Sequence, residues 1–372
     1  MKTIRRLLAV LAVMLGGSAH ADYALNLPVG VTETSREIHD LHMLILWICV
    51  AIGVLVYGLM TYSIMYHRKS KGAVPAKFHE NTKLEIVWTL IPFVILFAMA
   101  VPATRVMIKA YDASAADMSI KVTGYQWKWR YTYQEDGLDF FSSLDAESNR
   151  ARQIGSGINP ETVPHYLLNV DNPMVIPVNK KIRILLTAAD VLHAWWVPEF
   201  GWKKDAIPGF VTDGWIKVEK PGTYRGQCAE LCGRDHGFMP IVVIAKTDEE
   251  YKVWVEEQKA KAVVKKADAN KTYTMAELME KGKAVYDSNC AACHMPNGDG
   301  MPGAFPAIKG SPVANGPVDD HIKLVAKGRN AMPAFDEVLA DDEIASVVVY
   351  QRNSFGNSKG ELVQPADIQK QQ

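Results

Sequence analysis

Two long apolar runs near the N-terminus dominate the hydrophobic pattern of the chain. Residues 41–66 are apolar apart from one histidine and a few hydroxyls, and residues 84–106 form a second run with charges only at its ends. As helices rising about 1.5 Å per residue, both are long enough to cross a bilayer core about 30 Å thick. The segment 67–83 between them holds five lysines or arginines and one glutamate, which places it inside the cell and the rest of the chain outside.

The first residues have the pattern of a secretory signal peptide. A basic start is followed by a short apolar run and by the small-residue ending Ala19-His20-Ala21. The alternative, a first membrane helix, is disfavoured because the apolar run is short. Cleavage after residue 21 would start the mature chain near Asp22, on the outer side of the membrane.

From Ser119 the apolar residues alternate with polar ones in short runs, which predicts β-strands. Turn-forming pairs separate these runs, as in a small antiparallel sandwich or barrel. Residues 141–164 are polar without clear periodicity and are interpreted as an inserted loop. Residues 247–271 are charged and alanine-rich, which predicts a helix leading into a solvated tether. Helical patterns return at 276–289 and 341–353.

Net charge and cysteine content indicate which partners and covalent bonds are not expected. The chain has 41 basic and 41 acidic side chains, and a net charge of zero argues against a nucleic-acid partner. Four of its five cysteines belong to two motifs. The fifth, Cys49, falls in the first apolar run, where a small buried residue is expected. With no cysteine left over, a structural disulfide is not expected.

The first cysteine motif has the composition of a copper site. The run CAELCGRDHGFM supplies Cys228, Cys232, His236 and Met239, and His193 lies 35 positions upstream, on a second loop. Thiolate, thioether and imidazole ligands together suit copper in electron transfer, and a cysteine pair is able to bridge two metals. Zinc also accepts cysteine and histidine, but it has little use for Met239, so copper is favoured.

Residues 41–245 resemble cytochrome c oxidase subunit II, whose binuclear copper A centre uses this spacing. The resemblance implies that two bridging thiolates and two terminal imidazoles hold the coppers, with a thioether and a backbone carbonyl as weak ligands. The implied ligands are His193, Cys228, Glu230 through its carbonyl, Cys232, His236 and Met239. The side chain of Glu230 would help to hold a magnesium ion shared with the catalytic subunit, and Asp190 would lie near that region.

The segment GYQWKWRY resembles the aromatic segment of the same family, whose first tryptophan receives electrons over the copper centre. Trp127 is therefore predicted to be the point where electrons enter, with sheet packing as the alternative for it and more strongly for Trp129. Lys128 and Arg130 beside it would weaken docking of a positively charged soluble cytochrome.

Three further polar residues are given predicted roles from their positions in the sequence. Glu85 opens the second apolar run in EIVWT, which resembles the family segment where this acid stands at the mouth of a proton path in the catalytic subunit. Anchoring of a helix end at the membrane interface is an equal alternative for Glu85. His42 and His321 are interpreted as ordinary surface histidines.

The second motif, CAACH, is the c-type haem attachment sequence. Cys290 and Cys293 would form thioether bonds to haem, and His294 would bind the iron. The candidates for the opposite iron ligand are Met295, Met301 and Met332. Met332 lies in NAMPAF, which resembles the distal-methionine loop of class I cytochromes c, whereas Met295 adjoins His294. A Met/His pair suits an electron carrier, with core packing as the alternative for Met332 and a sensor haem as the alternative for the domain.

The two resemblances together look like the caa3-type oxidases, in which a cytochrome c domain follows subunit II. They predict a multidomain membrane protein with a two-helix transmembrane hairpin, a cupredoxin-like β-sandwich and a small all-α class I cytochrome c domain. The predicted segments are a signal peptide (1–21), an N-terminal segment with two membrane helices (22–107), a copper A domain (108–246), a helical charged linker (247–272), a cytochrome c domain (273–357) and a flexible tail (358–372).

Such a subunit would pass electrons from a donor through haem c and copper A to subunit I, where oxygen is reduced to water and protons are pumped. The implied partners are subunits I and III, membrane lipid, and a donor such as a cytochrome c or a quinol–cytochrome c oxidoreductase, in a bacterial inner membrane. One alternative is the copper A subunit of a nitric oxide reductase, which Glu85 and Glu230 disfavour. Another is a membrane copper-handling protein, which would leave the haem domain without a role.

Overall fold

The computed structural model describes residues 26–267, 271–303, 305–329, 332–336 and 339–371. The predicted signal peptide lies outside these residues. Two long helices come first, α1 (Glu33–Tyr66) and α2 (Thr82–Tyr111). Both are long and apolar enough to cross a membrane, and their most apolar stretches are exposed on the protein surface. Exposed apolar side chains over such lengths are expected where lipid surrounds a helix.

Polar contacts at the outer ends of these helices fix the hairpin to the rest of the chain. The hydroxyl of Thr32, which caps α1, donates to the carbonyl of Phe200 at 2.9 Å. Lys109 of α2 lies 2.7 Å from both Glu33 and Glu37 of α1. Both helices therefore extend beyond the apolar runs, because their ends are stabilised by contacts that an apolar pattern does not reveal.

Ten strands among the described residues form a sandwich of two sheets. The strands are β1 (Met118–Tyr125), β2 (Lys128–Tyr133), β3 (Leu138–Ser142), β4 (Met174–Pro177), β5 (Ile182–Ala188), β6 (His193–Val197), β7 (Trp202–Ala206), β8 (Thr212–Ile216), β9 (Gly222–Cys228) and β10 (Pro240–Lys246). The sheet orders are β3-β2-β1-β5-β8 and β4-β10-β9-β6-β7. The β1/β5 and β4/β10 pairs are parallel and the other pairs are antiparallel.

Alternating side chains fill the space between the sheets, as the period of two predicts. On β5 the side chains of Ile182, Ile184 and Leu186 are fully buried, whereas Arg183 between them is exposed. Trp129 and Trp195 are the largest fully buried residues of this core. The predicted β-sandwich is confirmed.

The segment interpreted as an inserted loop contains more structure than its sequence indicated. Strand β3 ends inside it, and the short helix α3 (Ala146–Ala151) follows. Asp145 caps this helix, with its carboxylate accepting from the backbone N–H groups of Glu147 and Ser148. A helix this short shows no apolar periodicity, so its cap is its only clear sequence signal.

Helix α4 (Asp248–Ala267) lies in the linker, where a helix leading into a solvated tether was predicted. Tyr251 and Val255 are buried, and the ring of Trp254 lies 5.5 Å from that of Tyr133 on β2. The Tyr251 hydroxyl also donates to Asp136 at 2.6 Å. Because these positions share one helix face, the first half of the segment packs on the sandwich instead of remaining in solvent.

The C-terminal domain is all helical. Its helices are α5 (Met275–Asn289), α6 (Ala291–His294), α7 (Pro312–Asn315), α8 (Val318–Lys327), α9 (Asp341–Asn353) and α10 (Pro365–Gln369). Helices α5 and α9 cross closely at Gly282, where a Cβ atom would lie 2.1 Å from the carbonyl oxygen of Ser346. The predicted all-α domain around the CAACH motif is confirmed.

The C-terminal domain packs directly against the sandwich. Tyr125 and Phe141 of the sandwich belong to the same buried cluster as the core of the C-terminal domain. The rings of Phe141 and Phe335 lie 6.1 Å apart across this contact. The contact brings the CAACH motif onto the turn between β1 and β2.

Candidate metal centre and haem cavity

The six predicted copper-ligand positions come together at one end of the sandwich. Strand β6 begins at His193 and strand β9 ends at Cys228, and the loop before β10 supplies the other four. The measured separations between donor atoms are Cys228 Sγ to Cys232 Sγ 3.8 Å, Cys228 Sγ to His193 Nδ1 3.9 Å, Cys228 Sγ to Glu230 O 3.4 Å, Cys232 Sγ to His236 Nδ1 3.5 Å and Cys232 Sγ to Met239 Sδ 3.5 Å.

These separations leave room for metal ions between the donor atoms, since metal–sulfur bonds are about 2.3 Å long for zinc, a metal of similar size. Cys228, Cys232 and Met239 are buried, so solvent does not compete for the sulfur ligands. The hydrogen bond from Cys232 lowers the pKa of Cys228, outweighing the opposing effect of burial, and His193 adds to this. The chain thus favours a thiolate, which is the form that binds metals, and the sulfur-rich set fits copper.

Asp190 fixes the orientation of the His193 ring. Its Oδ1 lies 2.9 Å from Nε2 of His193, and its Oδ2 accepts from the backbone N–H of Gln126 at 2.7 Å. Burial opposes protonation of His193, but the hydrogen bonds to Asp190 and Cys228 outweigh it and raise the pKa of the ring. With the Nε2 proton held by Asp190, the Nδ1 lone pair faces the cluster, which is the usual arrangement around a metal-binding histidine.

Gly124 leaves the space that the His193 ring occupies. A Cβ atom at Gly124 would lie 2.8 Å from Cδ2 of His193. We expect Gly124→Ala to displace the ring and to weaken copper binding about 10–100-fold, the range found when groups that orient a metal ligand are removed. Copper content and the copper absorption band of the purified protein measure this effect.

Gly237 provides the matched control for this substitution. It lies next to His236, and a Cβ atom there would meet nothing within 4 Å. Gly237→Ala should therefore retain copper as the unmodified chain does. Equal copper retention by the two alanine variants would show that the His193 ring does not depend on this space.

Two tryptophans and a glutamine hold the backbone of the copper-ligand loop. Gln126 Nε2 and Trp127 Nε1 both donate to the carbonyl of Cys232, at 2.7 and 3.2 Å. Trp129 Nε1 donates to the carbonyl of Met239 at 3.4 Å and is fully buried in the core. Trp127 differs from Trp129 because its ring also meets Phe305 of the C-terminal domain, at 5.9 Å.

A cavity of about 560 Å³ lies between the two domains, beside their direct contact, and surrounds the CAACH motif. Cys290, Cys293, His294 and Met332 all line it, and its size is within the range of cofactor pockets. His294 Nδ1 lies 2.8 Å from the carbonyl of Pro306, which leaves Nε2 for the iron. Burial lowers the pKa of His294, so the ring is neutral, as metal binding requires.

The three methionine candidates differ in their surroundings. Met332 packs against the core of the C-terminal domain and lines the cavity. Met295 also lines it but directly follows His294, and its sulfur accepts from Arg234 at 2.7 Å. Met301 does not contribute to the lining of the cavity. Met332 is therefore the candidate best placed to face His294 across the cavity.

Sequence reasoning misplaced two polar residues that line this cavity. His321 was expected at the surface and Lys128 was expected to weaken docking of a soluble cytochrome, yet they are only 4% and 7% exposed. Nδ1 of His321 and Nζ of Lys128 have no hydrogen-bond partner among the described residues. Buried polar atoms are rarely left unpaired, so the cavity fits a cofactor with polar groups of its own.

The signal for His321 was present in the sequence. On α8 it shares a face with the buried Ile322, Val325 and Ala326, at helical spacing. Burial lowers the pKa of His321 to about 4, while Gln351 holds its Nε2 at 2.8 Å. For Lys128 no local pattern could have revealed burial, because a different domain covers it.

Glu85 and the cysteines complete the set of predicted residues. Glu85 lies exposed in the first turn of α2, at the helix end remote from the sandwich. All five cysteines are free. Cys49 is exposed on α1, so the expectation that it is buried is wrong for the chain by itself.

Comparison with known families agrees with this arrangement. The family described as the transmembrane domain of cytochrome c oxidase subunit II matches residues 20–106, and the periplasmic domain of the same subunit matches residues 118–246. The family described as cytochrome c oxidase, cbb3-type, subunit III matches residues 277–350. These domains imply copper A and haem c, and a subunit II implies association with subunit I and a cytochrome c donor.

Individual relatives are members of the same subunit II family. Probable cytochrome c oxidase subunit 2 of Rickettsia bellii is 41% identical over 221 residues, covering 59% of this chain and 78% of the relative. The subunit of Cereibacter sphaeroides is 36% identical over 234 residues, covering 61% and 77%. The solved periplasmic domain of subunit II from Bradyrhizobium japonicum is 44% identical and covers 40% of this chain and 98% of that domain, with a TM-score of 0.35. The chain therefore belongs to the cytochrome c oxidase subunit II family, as a membrane protein with an outer-side copper domain that is followed in the sequence by a cytochrome c domain.

Proposed function

We propose that this chain carries electrons from a cytochrome c donor through haem c and then copper A to subunit I of a terminal oxidase, where oxygen is reduced to water and protons are pumped. The main support for this path is the short connection between the haem-attachment motif and the copper-ligand loop. Sγ of Cys293 lies 3.2 Å from the carbonyl oxygen of Gln126, and the Gln126 side chain donates to the carbonyl of Cys232. One residue thus contacts both a haem-attachment cysteine and a copper-ligand cysteine.

Each cofactor, when bound, would take up and release one electron. Cys228 and Cys232 would bridge two copper ions, and His193 and His236 would each bind one of them. Met239 and the carbonyl of Glu230 would be the weak ligands. Because the hydrogen bonds to the ligand loop hold these residues in place, little of the chain would have to move when the electron passes.

Trp127 would take its electrons from the fused domain in this chain. Its side chain is only 5% exposed and lies between the Cys232 carbonyl and Phe305 of the C-terminal domain. An external cytochrome cannot reach a residue that is covered in this way. The donor would therefore dock on the C-terminal domain and reduce the haem held by His294 and Met332.

A pair of matched variants tests the role of Trp127. Trp127→Phe and Trp129→Phe each remove one indole hydrogen bond to a copper-ligand carbonyl, worth about 1 kcal/mol. Only Trp127 also contacts the C-terminal domain. We expect Trp127→Phe to slow electron transfer from haem c to copper A several-fold, measured by rapid mixing, and Trp129→Phe, which alters only the copper side of the path, to slow it less. Equal rates in the two variants would contradict the assignment.

The remaining roles concern the other subunits and the membrane. The Glu230 side chain, half-buried beside the copper ligands, would contribute to a magnesium site shared with subunit I. Glu85, exposed at the inner end of α2, would stand at the entrance of a proton path in subunit I. Helices α1 and α2 would lie in a bacterial inner membrane and contact lipid, subunit I and subunit III.

Turnover of the purified membrane complex tests the proposed function. Reduced cytochrome c is supplied, then oxygen or nitric oxide, while the haem c and copper absorption bands are followed. Rapid oxygen uptake with both bands cycling is the expected result. Nitric oxide consumption without oxygen uptake would assign the chain to a nitric oxide reductase. Neither activity, together with ready transfer of copper to an acceptor protein, would indicate copper handling.

A further inference from the structure

Lys128 places a buried amino group between the two domains. It is the first residue of β2, and its Nζ lies 4.0 Å from the ring centre of Phe141 and 4.7 Å from that of Phe335. Phe141 belongs to the sandwich and Phe335 to the C-terminal domain. The side chain is enclosed by this contact and points into the cavity that Cys290 and Cys293 line.

The surroundings of Lys128 favour a charged amino group despite its burial. The faces of two aromatic rings stabilise a cation, more so where water is excluded. Burial lowers the pKa of Lys128, and the negative charge of Asp171 opposes this. Once the cysteines have formed thioethers they are neutral, which leaves Asp171 as the nearby acid. Burial raises the pKa of Asp171 to about 6, so it is still ionised at neutral pH.

We propose that Lys128 of the copper domain raises the reduction potential of haem c in the docked cytochrome domain. This inference rests on the proposed function. Lys128 faces the edge of the cavity where Cys290 and Cys293 would hold the haem. A ferric haem carries one more positive charge than a ferrous haem, so a buried cation at this edge disfavours the ferric form.

The placement of Lys128 links the potential of haem c to docking. Because Lys128 belongs to the sandwich, its charge acts on the haem only while the two domains are in contact. The donor then gives one electron most readily to a haem that already lies beside copper A. In this step the ferrous donor becomes ferric and the ferric haem c becomes ferrous, and no bond is formed or broken.

Four substitutions in the intact oxidase test the inference. Lys128→Met and Lys128→Gln remove the charge, Lys128→Arg keeps it, and Lys121→Met removes an exposed charge from the neighbouring strand β1. The readout is a redox titration of the haem c and copper A absorption bands in one sample. The uncharged variants should shift the electron equilibrium about tenfold from haem c toward copper A, equivalent to about 59 mV. The other two variants should titrate as the unmodified protein does.

The inference requires that the reduction potential of haem c falls when the charge at position 128 is removed and stays the same when the charge is kept. An unchanged haem c potential in Lys128→Met and Lys128→Gln would overturn it, since the side chain would then only fill space. A potential that falls equally in Lys128→Arg would also overturn it, because the cause would then be altered docking. Failure of the proposed function is distinguishable, since the unmodified protein would then reduce haem c without reducing copper A.

Discussion

Replacing Cys232 with serine should leave haem c reducible and stop electron transfer beyond it. Cys232 lies at the centre of the metal cluster, with its sulfur 3.8 Å from that of Cys228 and 3.5 Å from both His236 Nδ1 and Met239 Sδ. A serine hydroxyl is a hard ligand that stays protonated at neutral pH, so it cannot replace a bridging thiolate. Oxygen turnover should fall at least about 100-fold, the upper end of the effect of losing a group that only orients a ligand.

The measurement combines oxygen uptake with absorption spectra of both cofactors. The haem c band should still appear on addition of reduced donor, because Cys290, Cys293 and His294, which would hold the haem, are unchanged by the substitution. Cys49→Ser is the matched control, since Cys49 is exposed on α1 and remote from both sites. Normal turnover by Cys232→Ser would refute the assignment of the copper ligands.

Replacing Met332 with alanine should lower the reduction potential of haem c. A thioether ligand favours the ferrous state, and axial ligands set haem potentials over a range of about 0.8 V. Loss of the thioether should therefore lower the potential by on the order of 0.1 V or more. Redox titration of the haem c band measures the change, and electron delivery to copper A should continue.

Met301→Ala is the matched control for the iron ligand. Met301 pairs with Phe305 through backbone hydrogen bonds, which alanine retains, and its side chain does not line the cavity. Its replacement should leave the potential unchanged. A fall in potential with Met301→Ala and none with Met332→Ala would reverse the assignment of the distal ligand.

Local patterns in the sequence were sufficient to predict the elements and the ligand types. The alternation of Ile182, Ile184 and Leu186 indicated a strand of a sandwich because burial on one face has a period of two. The copper ligands were predictable because Cys228 and Cys232 lie in one short loop with His236 and Met239. His193 was assigned to a second loop from its spacing, and the resemblance supplied its role as a ligand, since spacing alone does not show which loops meet.

Local sequence patterns could not predict the contacts between domains. Lys128 looked like a surface cation, because the residue that covers it, Phe335, lies in a different domain. Trp127 was predicted to be the point where electrons enter, and no local pattern indicated that the C-terminal domain covers it. The linker was predicted to be a helix leading into a solvated tether. The packing of this helix on the sandwich was not predicted because Tyr251 and Val255 are few among many charges, although they share one buried face.

The order in which the two cofactors are reduced shows whether electrons reach copper A through haem c. Oxidised complex is mixed rapidly with reduced cytochrome c, and the haem c and copper A bands are followed over a range of donor concentrations. We predict that haem c is reduced first, at a rate that rises with donor concentration, and that copper A follows at a rate independent of it. Reduction of copper A before haem c, or at a rate proportional to donor concentration, would show that the donor reduces copper A directly and not through haem c.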